Sequence, residues 1–339
     1  MVTIKEIAAR VGKTEATVSL ALNNKPGVGD ATRRRIKEVA LEMGYMPNII
    51  ARELSTQVSL TVGLIVPDLG NPFFAAFSES VNRALTKNGY KMMLAISNQS
   101  VQNEHAAVAD MISRRVDGII IVPVTEETGQ ISYRDLLQKS GIPYIFATSY
   151  YPSWDAPRVM SDLVMGERIA FDYLLKVGHR RILFLGTNPL SPPNSLRIAG
   201  IYQACEKLGF DADAIIDMRS VESPDFDRAY SFARELLNQG RLAYTAIATL
   251  NDIMAIGVMK ALTEFGYRVP QDVSLMGFDN LIFSEIATVP LSTIEQDIDK
   301  LAGKSVEAII EGRGMEAGCI HIHPKLILRS STATVPTKA

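Results

Sequence analysis

The chain has 339 residues, 47% hydrophobic and 21% charged, with 16 prolines and 23 glycines, an ordinary composition for a folded protein that argues against disorder and fibrous structure. At roughly 150 residues per domain the length asks for two domains with room for a small appendage. The formal net charge of −2 offers no overall grip on an acidic partner, yet residues 1–58 hold nine basic and six acidic side chains, a local excess of +3 that leaves −5 for the rest.

The first segment reads as three short helices. Thr3 followed by Glu6 is a capping box, Ile4, Ile7, Ala8 and Val11 form one apolar face, and Gly12 ends the helix. Thr14 caps a second helix from Glu15, with Val18, Ala21 and Leu22 inward and Asn23, Asn24, Pro26 and Gly27 stopping it. Asp30 is expected to cap a third that buries Ile36, Val39, Ala40 and Met43 and closes on Gly44. Two short helices joined by a Gly-containing turn, then a third, is the order of a helix-turn-helix unit, although a small bundle for protein contact has the same pattern.

From Leu60 onward short β-branched runs alternate with amphipathic helices. The runs are Thr61–Val66, Lys91–Ile96, Gly118–Val122, Pro143–Ala147, Arg181–Leu185, Ala246–Leu250 and Val273–Phe278. Helical patterns lie between them, including Phe73–Lys87, Met165–Val177, Ser195–Leu208 and Asp252–Phe265. This grammar predicts buried parallel strands covered on both faces, a doubly wound α/β body. No apolar run approaches ~18 residues and the N-terminus lacks an export-signal pattern, which points to a cytoplasmic protein with no membrane contact. Cys205 and Cys319 are expected as buried free thiols.

In open parallel sheets ligands bind beyond the carboxyl ends of the strands, which singles out Asp68–Phe74, Asn98, Gln99, Thr148, Ser149, Asn251, Asp252, Asp279 and Asn280. Asn71-Pro72-Phe73-Phe74 could set a ring over a flat ligand or contribute two core phenylalanines. Arg197, expected at the start of a helix after the loop Pro189–Asn194, could span two hydroxyls, meet a carboxylate or stand exposed. Asn251 and Asp279 suit polyol hydroxyls and equally suit helix caps or turns. His179 reads as a surface turn, and His321 and His323 fall short of a metal site. Phosphate-loop, nucleophile-elbow and Cys/His catalytic patterns are missing from the sequence, so neither an enzyme nor a cofactor is expected.

Thr3-Ile4-Lys5-Glu6-Ile7-Ala8, Thr17-Val18-Ser19 and Gly44-Tyr45-x-Pro47-Asn48 resemble the headpiece of the lactose- and galactose-repressor family. Val116-Asp117-Gly118, Gly178-His179-Arg180, Arg197-x-Ala199-Gly200, Asn251-Asp252-x-Met254-Ala255 and Gly277-Phe278-Asp279 extend the resemblance along the body. It implies a helix-turn-helix headpiece over residues 1–47, a hinge helix and linker over 48–59, and a periplasmic-binding-protein-like core over 60–339. The core would comprise one subdomain of about 60–160 and 292–322 and another of about 161–291 and 323–339.

The resemblance further implies a homodimeric repressor on pseudo-palindromic double-stranded operator DNA. Glu15, Ala16 and Leu20 match base-reading positions, Thr17 and Ser19 positions near phosphates, and Thr3, Thr14 and Asn23 complete the DNA-facing set. Asn48, Ala51, Arg52 and Leu54 fall in the hinge, with Leu54 as a minor-groove wedge. For a small effector, expected to be a sugar with a purine as the alternative, it carries contacts onto Asn71, Phe73, Phe74, Arg197, Asn251, Asp279 and Gln296. Thr148 stands where many sugar-binding relatives have an acid, with Ser149, Tyr150, Tyr151 and Trp154 as candidates to replace it. A transport receptor is the competing class on the same body fold.

Overall fold

A computed structural model describes residues 2–46, 58–124, 131–240, 242–312 and 318–335. The chain forms two compact units, residues 1–58 and 59–339. Asn48, Ala51, Arg52 and Leu54, the expected hinge positions, lie outside the described residues.

The described residues of the first unit form three helices, α1 (Ile4–Val11), α2 (Glu15–Leu22) and α3 (Asp30–Glu42). The Glu6 amide donates to Thr3 Oγ1 (3.3 Å) while the Glu6 carboxylate accepts from the Thr3 amide (2.8 Å), so both orphan donors of α1 are satisfied. Gly12, at φ +64°, supplies the left-handed residue that ends the helix. Ile7, Val18, Ala21, Ile36, Val39 and Ala40 form the core of this unit. Asp30 is not the cap expected of it. Gly29 holds that position without a side-chain bond, and Asp30 is the first helical residue, where its carboxylate faces the positive end of the helix.

The second unit opens with a parallel six-stranded sheet. Its strands are β1 (Thr61–Val66), β2 (Lys91–Ile96), β3 (Gly118–Ile121), β4 (Tyr144–Ala147), β5 (Arg158–Ser161) and β11 (Cys319–Ile322), in the order β11-β5-β4-β3-β1-β2. Val62, Leu64 and Val66 of β1 pack under α4 (Pro72–Lys87) and α13 (Ile298–Ile310), whereas Ile65 joins the opposite core with α5 (Val101–Ser113) and α6 (Arg134–Ser140). Both faces are therefore buried, which is why the strand reads as a continuous apolar run.

A second parallel sheet has the order β7-β6-β8-β9, from β6 (Ile182–Gly186), β7 (Ile216–Ser220), β8 (Ala246–Thr249) and β9 (Ser274–Met276). Around it lie α7 (Leu163–Lys176), α8 (Pro192–Lys207), α9 (Ala212–Ile215), α10 (Phe226–Asn238), α11 (Asp252–Glu264) and α12 (Ile282–Ile286). A short antiparallel pair, β10 (Thr293–Glu295) and β12 (Lys325–Ile327), completes the unit.

The expected subdomain boundary at 292 moves. Ser292 and Glu295 bridge Met276 and Asp279 beside the second sheet, so the chain crosses to the first only at Gln296 and Asp297, where Asp297 takes φ +51° and caps α13. Among the described residues, no helix is long and apolar enough to cross a membrane. His179 is buried rather than on a surface turn, bonded through Nδ1 to Thr245 Oγ1 (3.0 Å) and through Nε2 to the Ala333 carbonyl (3.1 Å). Cys205 is buried, but Cys319 is only half-buried.

Candidate functional site

In the first unit Val18 and Ala21 anchor α2 to the core, and the 3.6-residue period then leaves Glu15 and Ala16 exposed and Thr17, Ser19 and Leu20 half-buried. Thr14 Oγ1 accepts from the Thr17 amide (3.2 Å) and shares a hydrogen with its hydroxyl (2.9 Å), holding the start of the helix. Exposed Asn23 donates from Nδ2 to the Ser19 carbonyl (2.9 Å).

Sequence reasoning missed what fixes the other end. Arg33 of α3 donates to the carbonyls of Lys25 (2.7 Å), Val28 (3.2 Å), Leu20 and Ala21 (both 3.4 Å), placing a guanidinium at the negative end of α2. Lys37 adds a bond to Asn24 Oδ1 (2.6 Å). The result is a short helix tied at both ends, with Lys5, Arg10, Lys13, Lys25, Arg34 and Arg35 all exposed on the same small unit. Thr3 is exposed as well, although its hydroxyl and amide are committed to Glu6.

In the second unit polar side chains gather beyond the carboxyl ends of the second sheet. Helix α8 begins at Pro192, three residues earlier than expected, because two prolines fit a first turn that needs no amide donors. Arg197 consequently sits in the second turn and is buried, not exposed. It donates to Glu167 Oε1 of α7 (2.8 Å), and its guanidinium lies 3.8 Å above the Phe278 ring. Gly200 makes this possible: a Cβ there would stand 2.3 Å from the Val164 carbonyl oxygen, so only glycine lets α8 press against α7.

Asp279 follows that ring at φ +115° and accepts from Gln296 Nε2 (2.6 Å). Burial, reinforced by the neighbouring Asp252, raises its carboxyl well above the ordinary range, against the pull of Arg197. Burial likewise lifts Glu167 to about 7, with Arg197 opposing. Asp252 is also lifted to about 7 by burial, although it accepts from Thr293 Oγ1 (2.6 Å) and the Leu281 amide (2.8 Å).

Several expected contacts are used by the fold itself. Asn251 caps α11, accepting from the Met254 amide (2.8 Å) and donating to the Pro224 carbonyl (2.9 Å). Asn71 caps α4 through the Phe73 amide (3.0 Å). Phe73 is buried in the core of the first sheet, edge-on to a half-buried Phe74 at 5.5 Å between centroids. Tyr151 donates to the buried Glu104 (2.8 Å), and Trp154 packs among Tyr133, Tyr144 and Phe146; neither replaces the acid lacking at Thr148. Thr148 itself is half-buried at φ +62°, and Ser149 Oγ is buried with no partner among the described residues.

The structure thus joins Arg197, Asp279 and Gln296 through Glu167, Phe278 and Asp252. Asn71, Phe73, Phe74, Thr148 and Ser149 stand at strand ends of the first sheet, without direct bonds to that set. A cavity of about 260 Å³ lies between Ala76, Glu79 and Arg83 of α4 and Asp279, Asn280 and Glu295. Glu167 was legible as an oddity, a carboxylate within the buried stripe Leu163, Gly166, Ala170 and Phe171 of α7. His321 and His323 are exposed, and among the described residues no group of three His, Cys, Asp or Glu could hold a metal.

Comparison with known proteins brings both halves together. Residues 3–48 match the model for bacterial regulatory proteins of the lacI family, and residues 171–332 match a periplasmic binding protein-like domain. The HTH-type transcriptional regulator DegA of Bacillus subtilis (strain 168) is 30% identical over 99% of both chains. The HTH-type transcriptional repressor CytR of Escherichia coli (strain K12) is 28% identical over 98% of this chain and 97% of its own. A lac repressor dimer solved with operator and the anti-inducer ONPF superposes with a TM-score of 0.86 over 98% of this chain and 99% of that one, at 24% identity, a likeness of fold. A periplasmic binding protein/LacI transcriptional regulator from Alkaliphilus metalliredigens QYMF, solved with D-xylulofuranose, gives a TM-score of 0.69 at 27% identity over 81% of this chain and 99% of that one.

Proposed function

Given that this chain belongs to the lacI family of bacterial regulatory proteins and is a DNA-binding transcriptional regulator, we propose that it is a homodimeric repressor whose operator affinity is set by a small sugar or sugar derivative. The observation that carries the effector half is the convergence of Arg197, Glu167, Asp279 and Gln296 at the strand ends. A cation, carboxyl groups and an amide suit hydroxyls, each of which donates and accepts at once. The xylulofuranose complex of the Alkaliphilus regulator supports the same class. The buried ring of Phe73 weighs against a purine held by stacking.

On the DNA side, Glu15, Ala16 and Leu20 of α2 read base edges in the major groove, Thr17 and Ser19 approach phosphates, and Thr3, Thr14 and Asn23 border the contact. Glu15 can only accept, so a cytosine amino group is its natural partner. Asn48, Ala51, Arg52 and Leu54 act as hinge, with Leu54 the wedge at the central step. Residues 1–47 thus serve as headpiece, 48–59 as hinge and 60–339 as effector and dimer core, acting in the cytoplasm and without catalysis. Two exposed apolar surfaces support dimerisation: Leu94 and Ile96 on edge strand β2, and Ile282, Phe283 and Ile286 on α12. Edge strands and apolar patches of this kind are ordinarily covered, here by a second copy.

Effector binding would change the angle between the two sheets at their crossing points and so the spacing of the hinges, with reciprocal effects on DNA and effector affinity. The test is fluorescence anisotropy with pseudo-palindromic duplexes carrying a central CG step, at fixed salt, with a panel of sugars and purines. Binding at ~10⁻⁸ M or tighter that one sugar alters is the expected result. Equal binding to random duplexes under every condition would overturn the operator reading.

A further inference from the structure

Arg197 is a buried cation in the polar cluster with Asp279 and Gln296, and its ionic partner is already in place. The Arg197 and Glu167 side chains are 8% and 3% exposed and meet at 2.8 Å. We infer that Glu167 sets the charge selectivity of the cleft, admitting uncharged polyols and excluding phosphorylated or carboxylated ones; this rests on the reading of that cleft as the effector site.

A guanidinium left unpaired in such a site would be an anion receptor, because its planar donor fork fits a carboxylate or phosphate at two points. Glu167 occupies that role. Above about pH 7, where Glu167 is ionised, an entering anion must either share Arg197 with Glu167 or displace it and leave a buried carboxylate without a counter-ion, which is strongly unfavourable. The other cations nearby are already partnered: Arg329 donates to Ser284 Oγ (3.2 Å), the Leu291 carbonyl (2.8 Å) and Asn280 Oδ1 (2.7 Å), and Arg83, on the cavity wall with Asp279, meets Glu79 (2.9 Å) and Asp299 (2.5 Å). A neutral hydroxyl meets no such conflict. It can donate to the Glu167 or Asp279 carboxyl while accepting from Arg197, leaving the ion pair intact.

The full-length protein is melted at pH 8, above the value of about 7 for Glu167, with inorganic phosphate or with chloride of equal ionic strength, and separately with ribose or ribose 5-phosphate. The wild type should show no phosphate-specific shift. In Glu167→Gln, and in Glu167→Ala as a second variant, phosphate should raise Tm by about 2–4 °C relative to chloride, the scale of roughly 1 kcal/mol of linked binding. The double variant Glu167→Gln, Arg197→Met should lose that response, which places the anion on Arg197. Phosphate stabilisation of the wild type equal to that of the variants, or stabilisation of the wild type by ribose 5-phosphate, overturns the inference. Folded single variants that both ignore phosphate overturn it too. The effector reading stands or falls separately, on whether any neutral sugar changes operator anisotropy.

Discussion

The α2 surface and the cleft beyond the second sheet handle polarity in opposite ways. Around α2, Glu15 and Ala16 are exposed, and the structural work falls to others: Val18 and Ala21 below, Asn23, Arg33 and Lys37 at its end. In the cleft the candidate residues are themselves structural. Arg197 and Glu167 neutralise each other, Asn251 caps a helix, and Asp252 ties the Leu281 amide to Thr293. The difference teaches that the exposed face proposed to read DNA can be altered at little cost in stability, whereas the proposed effector residues cannot be changed without changing the core around them.

The sharpest way to break that contrast is Arg197→Ala. It leaves Glu167 buried and unpaired, and should destabilise the second unit by about 3–5 kcal/mol in urea unfolding followed by circular dichroism. An unchanged midpoint would show that the cleft residues are as dispensable to the fold as those on α2.

A pH profile follows in size. Asp252 and Glu167 both titrate at about 7 in the folded chain, above their ordinary values of 3.8 and 4.5. The folded state therefore holds protons that the unfolded state releases. Their contribution to stability is full below about pH 4, declines as pH rises to about 7 and is flat beyond. Asp252→Asn, which is permanently neutral, should flatten part of this decline, read as the difference in Tm between variant and wild type from pH 5 to 8.

Arg33→Ala removes one guanidinium from four carbonyls and should loosen the end of α2 by about 1–3 kcal/mol. Faster amide hydrogen exchange confined to the first unit would register it; exchange unchanged across α2 would mean that the helix holds itself. Glu15→Gln is the smallest perturbation, within about 0.5 kcal/mol of wild-type stability as befits an exposed side chain. It should nevertheless relax preference at one base pair per half-site. A duplex selection returning the wild-type consensus would remove Glu15 from base reading.

Much of the architecture was legible along the chain. The capping box at Thr3, the Thr14 cap and the left-handed Gly12 and Gly44 are local events, set by residues within one turn of each other. Seven apolar runs gave seven of the parallel strands: six are largely buried, and β2, at the sheet edge, is an apolar run whose Leu94 and Ile96 stay exposed. Strands β5, β7, β10 and β12 were less visible. Arg158 and the Asp217 and Arg219 pair interrupt β5 and β7, and β10 and β12 have only three residues each. Helix α13 also escaped, although it completes the first core from beyond residue 297.

The candidate site was legible in its residue types and their positions at strand ends, and less so in its partnerships. Sequence alone determined the helix-turn-helix unit, the exposed face of α2 and the set of polar residues beyond the strands, because helical and strand periods act between near neighbours. Only the tertiary structure decided that Arg197 is matched by Glu167, thirty residues away, and that Phe73 turns into the core. Those outcomes depend on how closely α7 and α8 can approach over Gly200 and on which polar groups lose their water, and neither quantity is written in any local pattern.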